Sequence, residues 1–160
     1  MREAQDLTLP TAGGLVNLRV GAIIERDGKL LMVHGARGYY YSVGGRIRFG
    51  ETAEEAIVRE VEEETGVRLG IDRLGFVEEN FFTGDSDWNK GLTIYELSFY
   101  FYMKTPPDFA PPAADLGAQE RLEWVAPDTD RTLYPALFRT ALCDQTPYVR
   151  HVVRDDRQNK

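Results

Sequence analysis

Three glutamates lie close together in the sequence at a spacing that suits a cation site. Glu60, Glu63 and Glu64 are spaced i, i+3 and i+4, so on a helix they share one face within about one turn. Carboxylates crowded on one face repel one another unless a cation lies between them. Oxygen ligands of this kind suit Mg²⁺, Mn²⁺ or Ca²⁺ rather than zinc. The spacing therefore predicts a hard-cation site that could bind an anionic phosphate substrate through its metal.

The residues around these glutamates predict the helix that would position them, over residues 52–65. Thr52 and Glu55 match a capping box, and Gly66 stands where a left-handed C-terminal cap belongs. An apolar stripe that can pack against a sheet runs along the segment at Ala53, Ala56, Ile57 and Val61.

Strands are predicted on both sides of this helix. Residues 17–26 and 29–34 are β-rich and joined by Asp27-Gly28, a strong hairpin signal because both turn positions need positive φ. A third short run covers residues 39–43. After the helix, residues 72–83 and 91–104 are predicted to form two longer strands. In the second, Tyr95, Leu97, Phe99, Phe101 and Met103 share one face by the period of two.

The remaining segments are less regular. A proline-rich loop or flap is expected over 105–119, a strand over 121–126 and a second helix over 134–143. Residues 1–16 and 154–160 are expected to be loosely held. No internal repeat or break divides the chain, so one domain spanning residues 1–160 is expected.

The segment that carries the glutamates resembles a known signature. Residues 45–67, GRIRFGETAEEAIVREVEEETGV, fill every position of the Nudix hydrolase motif, in which G, five residues, E and seven residues precede R-E-U-x-E-E-x-G-U, with U a bulky aliphatic residue. The matched residues are Gly45, Glu51, Arg59, Glu60, Val61, Glu63, Glu64, Gly66 and Val67.

This resemblance implies a fold and a metal site. It implies a mixed β-sheet in an α/β/α sandwich, with the motif helix on one face. Mg²⁺ or Mn²⁺ would be held by Glu60, Glu63, Glu64 and the backbone carbonyl of Gly44. The pair Glu51 and Arg59 would tie the motif loop to the helix, with Gly45 and Gly66 as supporting glycines.

The resemblance also implies a reaction, the hydrolysis of a nucleoside diphosphate linked to another moiety into a nucleotide and a second phosphate-containing product. The candidate catalytic carboxylates are Glu63 and Glu64 inside the motif, with Glu96 or Glu120 outside it as the general base. Candidate substrate contacts are Arg46, Arg48, Tyr39 and Phe82.

Two questions stay open at this point. A Nudix-fold module that binds or senses a nucleotide without hydrolysing it is the alternative function, although such proteins usually lose motif carboxylates and none is missing here. Relatives that act on ADP-ribose commonly carry a proline about 15 residues beyond the motif, and residues 80–83 contain none. Nucleoside triphosphates, dinucleoside polyphosphates and nucleotide sugars remain open as substrates.

Composition narrows the class of protein. The 160 residues carry a formal net charge of −7, of which four units fall in residues 45–67, so a nucleic-acid partner held by bulk electrostatics is not expected. No apolar run is long enough to span a membrane, and residues 1–10 do not resemble a signal peptide, so a cytoplasmic location is expected. Cys143 is the only cysteine, which excludes an internal disulfide. A homodimer, common in the family, is left open.

Overall fold

The computed structural model describes residues 4–111, 117, 119–143 and 146–157. These residues contain one α-helix, α1 (Ala53–Thr65), and ten strands. The strands are β1 (Thr8–Thr11), β2 (Gly14–Ile23), β3 (Glu25–Arg26), β4 (Lys29–His34), β5 (Tyr40–Arg46), β6 (Ile71–Thr83), β7 (Thr93–Met103), β8 (Arg121–Val125), β9 (Leu133–Tyr134) and β10 (Arg150–Asp155). They form a mixed sheet whose main path runs β10-β6-β7-β2-β5-β4-β3, while β1 pairs with β2, β8 with β4 and β9 with β5.

The Asp27-Gly28 turn is confirmed. Both residues have positive φ, 51° and 73°, and β3 and β4 pair antiparallel on either side of them. The run expected over 17–26 divides into β2 and β3, because β2 pairs with β5 and β7 while β3 pairs with β4.

The motif helix is confirmed with both of its caps. The Thr52 hydroxyl accepts a hydrogen bond from the Glu55 N–H, the Glu55 side chain accepts one from the Thr52 N–H, and Gly66 ends the helix at φ 71°. Ala56, Ile57 and Val61 are buried, which fixes the face of the helix that packs against the sheet.

Two apolar clusters lie on opposite faces of the sheet. The front face carries α1 and packs Val20, Ala22 and Val43 against the buried residues of the helix. The rear face carries a second cluster around Phe76, Tyr100 and Phe138. Since β2 runs parallel to β7 and antiparallel to β5, the mixed sheet that the motif resemblance implies is confirmed.

The helix expected over 134–143 is wrong. Its first residue, Tyr134, belongs to β9 and pairs with Tyr41 of β5, and Ala136–Arg139 form a short 3-10 helix. Tertiary contacts override the local helical pattern, because Phe138 is fully buried and packs edge-on against Tyr100. The Arg139 guanidinium also donates to three carbonyls of the preceding loop, those of Pro127, Thr129 and Arg131.

Two segments expected to be loosely held contain strands. Thr8–Thr11 pairs antiparallel with β2, and Arg154 and Asp155 lie in β10, which pairs parallel with β6. Both pairings depend on a partner strand that a local pattern does not reveal. Of the expected loop over 105–119, residues 112–116 and 118 lie outside the described residues. In the part of the chain that the structure describes, no helix is long and apolar enough to cross a membrane.

Candidate active site

Glu64 lies near the end of α1, against Gly44, the residue just before the motif. Its Oε2 accepts a hydrogen bond from the Gly44 N–H at 3.3 Å. Burial raises the pKa of Glu64 to about 8, and the neighbouring carboxylates of Glu60 and Glu120 add to this rise. Three carboxylates therefore meet at this end of the helix.

Arg59 connects the motif loop to the helix through several hydrogen bonds. Its Nε and Nη2 donate to the two carboxylate oxygens of Glu51 at 2.5 and 2.9 Å, and its Nη1 donates to Glu60 Oε1 at 2.6 Å. Nη2 also donates to the Arg46 carbonyl at 3.1 Å. The bidentate contact holds the pKa of Glu51 below its ordinary value and raises that of Arg59. The ion pair between Glu51 and Arg59 that the motif implies is thus present in the structure.

Glycine is required at both positions where the loop approaches the site. A Cβ on Gly45 would lie 2.5 Å from the carboxyl carbon of Glu60. Gly44 has φ 149°, and a Cβ there would lie 2.2 Å from the Val20 carbonyl oxygen. Glycine at position 45 of β5 therefore leaves room for the Glu60 carboxylate, and glycine at position 44 lets β5 pass close to the backbone of β2.

The predicted metal ligands are near one another but do not converge. Among the described residues, no group of three His, Cys, Asp or Glu side chains is arranged to hold a metal ion. Glu60 is bound to Arg59, and the half-exposed Glu63 lies 3.6 Å from Arg48 and 3.3 Å from Arg59. In this structure the carboxylates of Glu60 and Glu63 are therefore engaged in ion pairs with arginines. At Gly44 the structure shows the N–H, rather than the carbonyl, bonded to Glu64.

The two candidate bases lie on opposite sides of the sheet. Glu120 accepts a hydrogen bond from the Tyr41 hydroxyl and lies close enough to Glu64 to raise its pKa. Burial, Glu120 and Glu64 together raise the pKa of Tyr41. Glu96 lies on the rear face, where Asn17 Nδ2 donates to it at 3.5 Å. Only Glu120 shares the front face with the motif carboxylates.

The four candidate substrate contacts lie in different places. The Arg46 guanidinium is 5.6 Å from the centre of the Trp88 ring, while Arg48 faces Glu63 across the motif loop. Tyr39 packs edge-on against Tyr41 and so lies at the rim of the carboxylate site. Phe82 is on the rear face, paired with Ile94 of β7.

Sequence reasoning missed the hydrogen bond from Tyr41 to Glu120. These residues are far apart in the chain, and neither residue type signals the contact. It also missed Arg19, which lies 3.9 Å from Glu96 and lowers the pKa of Glu64. Alternation along β2 alone could have placed Arg19 opposite the buried Val20, but not beside these acids.

Comparisons with known proteins agree with the motif. The NUDIX domain family matches residues 16–136. The chain is 39% identical over 61 residues to a MutT-like protein of Streptomyces ambofaciens, which covers 38% of this chain and 40% of that protein. It is 44% identical over 52 residues to an ADP-ribose pyrophosphatase of Methanocaldococcus jannaschii, which covers 30% of this chain and 31% of that protein. The chain thus aligns with less than half the length of either relative.

A solved structure extends the likeness to the fold. The crystal structure of an ADP-ribose pyrophosphatase from Streptococcus suis matches with a TM-score of 0.55 at 17% identity, and the match covers 86% of this chain and 98% of that one. This confirms the fold class expected from the motif.

Proposed function

The chain belongs to the NUDIX domain family, and we propose that it is a divalent-metal-dependent pyrophosphohydrolase. Its substrate would be a nucleoside diphosphate linked to a second moiety, cleaved at the phosphoanhydride bond into a nucleotide and a second phosphate-containing product. The observation that carries this proposal is the group of Glu60, Glu64 and Glu120 at the end of α1, braced by the contact between Arg59 and Glu51.

The donor set at this site fits a hard divalent cation in its chemistry. Glu60 and Glu120 both raise the pKa of Glu64, and a cation among the three carboxylates would offset this repulsion. Glu60, Glu63, Glu64 and the Gly44 carbonyl would hold Mg²⁺ or Mn²⁺. When bound, the ion supplies charge neutralisation at the phosphate oxygens and a lowered pKa for a bound water.

A glutamate outside the motif would remove the proton from the attacking water. Tyr41 binds one carboxylate oxygen of Glu120, Oε1, which leaves the second oxygen able to accept a proton from the attacking water. Glu96 is engaged on the rear face with Asn17 and Arg19. These contacts favour Glu120 over Glu96 as the general base.

The test is hydrolysis of a substrate panel in the presence of Mg²⁺ or Mn²⁺, with the products identified. The panel contains nucleoside triphosphates, dinucleoside polyphosphates, nucleotide sugars and ADP-ribose. Metal-dependent cleavage at a phosphoanhydride bond is expected, and Glu64→Gln should lower kcat by at least about 100-fold. Glu62→Gln is the matched control, because Glu62 is exposed on the same helix and forms an ion pair with Arg68 at 3.0 Å, away from the carboxylate site.

The same panel decides between hydrolysis and the alternative function. A module that binds a nucleotide without cleaving it would show tight binding by calorimetry and no turnover of any panel member with either metal. The cytoplasmic location and a homodimeric state stay predictions.

A further inference from the structure

Strand β10 is one edge of the sheet in the described part of the chain, where its outer side pairs with no other strand. Its six residues pair with β6 in continuous register, without a bulge, and contain no proline. Bulges and prolines are among the features that keep an edge strand from pairing with another chain. The outer side of β10 is therefore open to a further strand.

The backbone groups of alternate residues point to this outer side. Asp156, directly after β10, donates its N–H inwards to the Phe81 carbonyl of β6 at 2.7 Å. In an extended strand the N–H and C=O of one residue point to the same side, and the side alternates from one residue to the next. His151, Val153 and Asp155 therefore direct their N–H and C=O groups outwards, where a second strand could bind them.

Apolar side chains are exposed along the same edge. Val153, the middle one of the three outward-directed residues, is 59% exposed. Tyr148 and Val149, directly before β10, are 77% and 51% exposed. Exposed apolar side chains that are grouped, rather than scattered singly, are typical of an interaction surface.

A second copy of this chain is the partner that the charges of β10 fit. Two copies that pair antiparallel about a two-fold axis join like faces of their sheets, so the numbers of two opposed residues differ by an even number. When Val153 lies opposite Val153 of the second copy, Arg150 lies opposite Asp156 and His151 lies opposite Asp155. Each of these two pairs forms twice, and no like charges are directly opposed.

The two neighbouring registers bring like charges together. Centring the pair on Val152 places Arg150 opposite Arg154 of the second copy. Centring it on Arg154 places this arginine opposite its own equivalent. Directly opposed like charges destabilise a strand pair, whereas opposite charges stabilise it. The charges of β10 therefore favour the register centred on Val153, in which the outward-directed residues also hydrogen-bond to one another.

We propose that two copies of the chain associate by antiparallel pairing of their β10 strands, with Val153 at the two-fold axis, so that their sheets join into one. Pairing of a single edge buries little surface, which places this dimer among weak interfaces. The association does not depend on the hydrolase activity proposed above.

The test is sedimentation equilibrium of the full chain at concentrations from about 10 µM to about 1 mM. The 18.2 kDa chain is expected to convert into a species of twice this mass, with the transition half complete at about 100 µM. Val153→Pro should weaken the dimer at least about tenfold, because it removes an N–H at the axis that makes no bond to β6. Val153→Thr is the matched control, because it keeps the N–H and a β-branched side chain, and its association should stay within about threefold of the wild type.

Charge reversal tests the register. Arg150→Asp or Asp156→Arg alone opposes like charges twice in the dimer and should weaken association at least about tenfold. Asp156 also binds Arg154 in its own chain, so the double variant is decisive: it restores opposite charges and should bring association back to within about threefold of the wild type. Positions 150 and 156 lie about 20 Å apart along one extended strand, so this recovery requires contact between two copies.

Several results would overturn the proposal. A chain that stays monomeric up to about 1 mM would do so, as would a dimer that Val153→Pro leaves unchanged. If Val153→Pro does not fold, as judged by circular dichroism, the charge reversals decide the question alone. Single reversals without effect, or a double variant that does not recover association, would refute pairing of β10 in this register.

Discussion

Glu78 is a buried acid whose replacement should change how stability depends on pH. It is 3% exposed, and burial raises its pKa from 4.5 to about 7, with Glu96 and Asp156 adding to the rise and Arg154 and the Tyr100 hydroxyl opposing it. Between these two values the folded carboxyl keeps its proton while the unfolded one loses it. The free energy of unfolding therefore falls as pH rises through this window.

The size of the effect follows from the shift. At 1.36 kcal/mol per pKa unit, ionisation of Glu78 in the folded state costs about 3 kcal/mol above pH 8, most of it developing between pH 5 and pH 8.5. Glu78→Gln keeps the shape of the side chain and an oxygen for the Tyr100 hydroxyl, but it removes the charge. From pH 5 to pH 8.5, the free energy of unfolding of the variant should fall by about 2 to 3 kcal/mol less than that of the wild type.

Urea denaturation at pH 5 and pH 8.5 measures this difference. The raised pKa of Glu64 adds a loss of the same sign to both proteins, so the comparison between them isolates Glu78. Glu79→Gln is the control, because Tyr95 and His151 lower the pKa of Glu79. Glu79 is therefore ionised at both pH values, and the variant should show the same pH dependence as the wild type. An equal pH dependence in wild type and Glu78→Gln would show that Glu78 ionises normally, and the account of its burial would be wrong.

Three further results concern the motif carboxylates and the two candidate bases. The added Cβ of Gly45→Ala should displace the Glu60 carboxylate. We expect the free energy of unfolding to fall by about 1 kcal/mol and Mn²⁺ binding, measured by calorimetry, to weaken. An unchanged metal affinity would count against Glu60 as a ligand. In steady-state assays, Glu120→Gln should lower kcat about 100-fold, whereas Glu96→Gln should alter KM more than kcat. The reverse pattern would identify Glu96 as the general base. The pKa of Glu64 is raised to about 8, and the carboxyl must ionise to bind metal. Mn²⁺ affinity should therefore rise up to about tenfold per pH unit from pH 6 to pH 8 and then level off. An affinity independent of pH would contradict this prediction.

The motif helix and the first hairpin could be predicted because the residues that specify them are close together in the sequence. The caps at Thr52 and Gly66 and the turn at Asp27-Gly28 each depend on residues within one turn of chain. The partnership of Arg59 with Glu51 came from the resemblance, and the structure shows it as a bidentate contact.

The rest of the structure depends on contacts between distant segments. The parallel pairing of β10 with β6 and the conversion of 134–143 from helix to strand and 3-10 turn are decided by partners elsewhere in the sheet. The alignment of Asn17 with Asn80 across Glu96 requires the register of three strands, which no local pattern supplies. For the same reason the hydrogen bond from Tyr41 to Glu120 could not be predicted from a local pattern.

The most direct test of the central claim is to locate the metal. Anomalous diffraction from a crystal of the full chain soaked in Mn²⁺, collected near the manganese edge, would show where the ion lies. We expect a strong peak bounded by the carboxylates of Glu60 and Glu64 and the backbone of Gly44, with the contact from Arg59 to Glu60 loosened. In a crystal of protein that hydrolyses its substrate with Mn²⁺, a peak elsewhere, or none at α1, would contradict the assignment of this helix as the metal-binding centre.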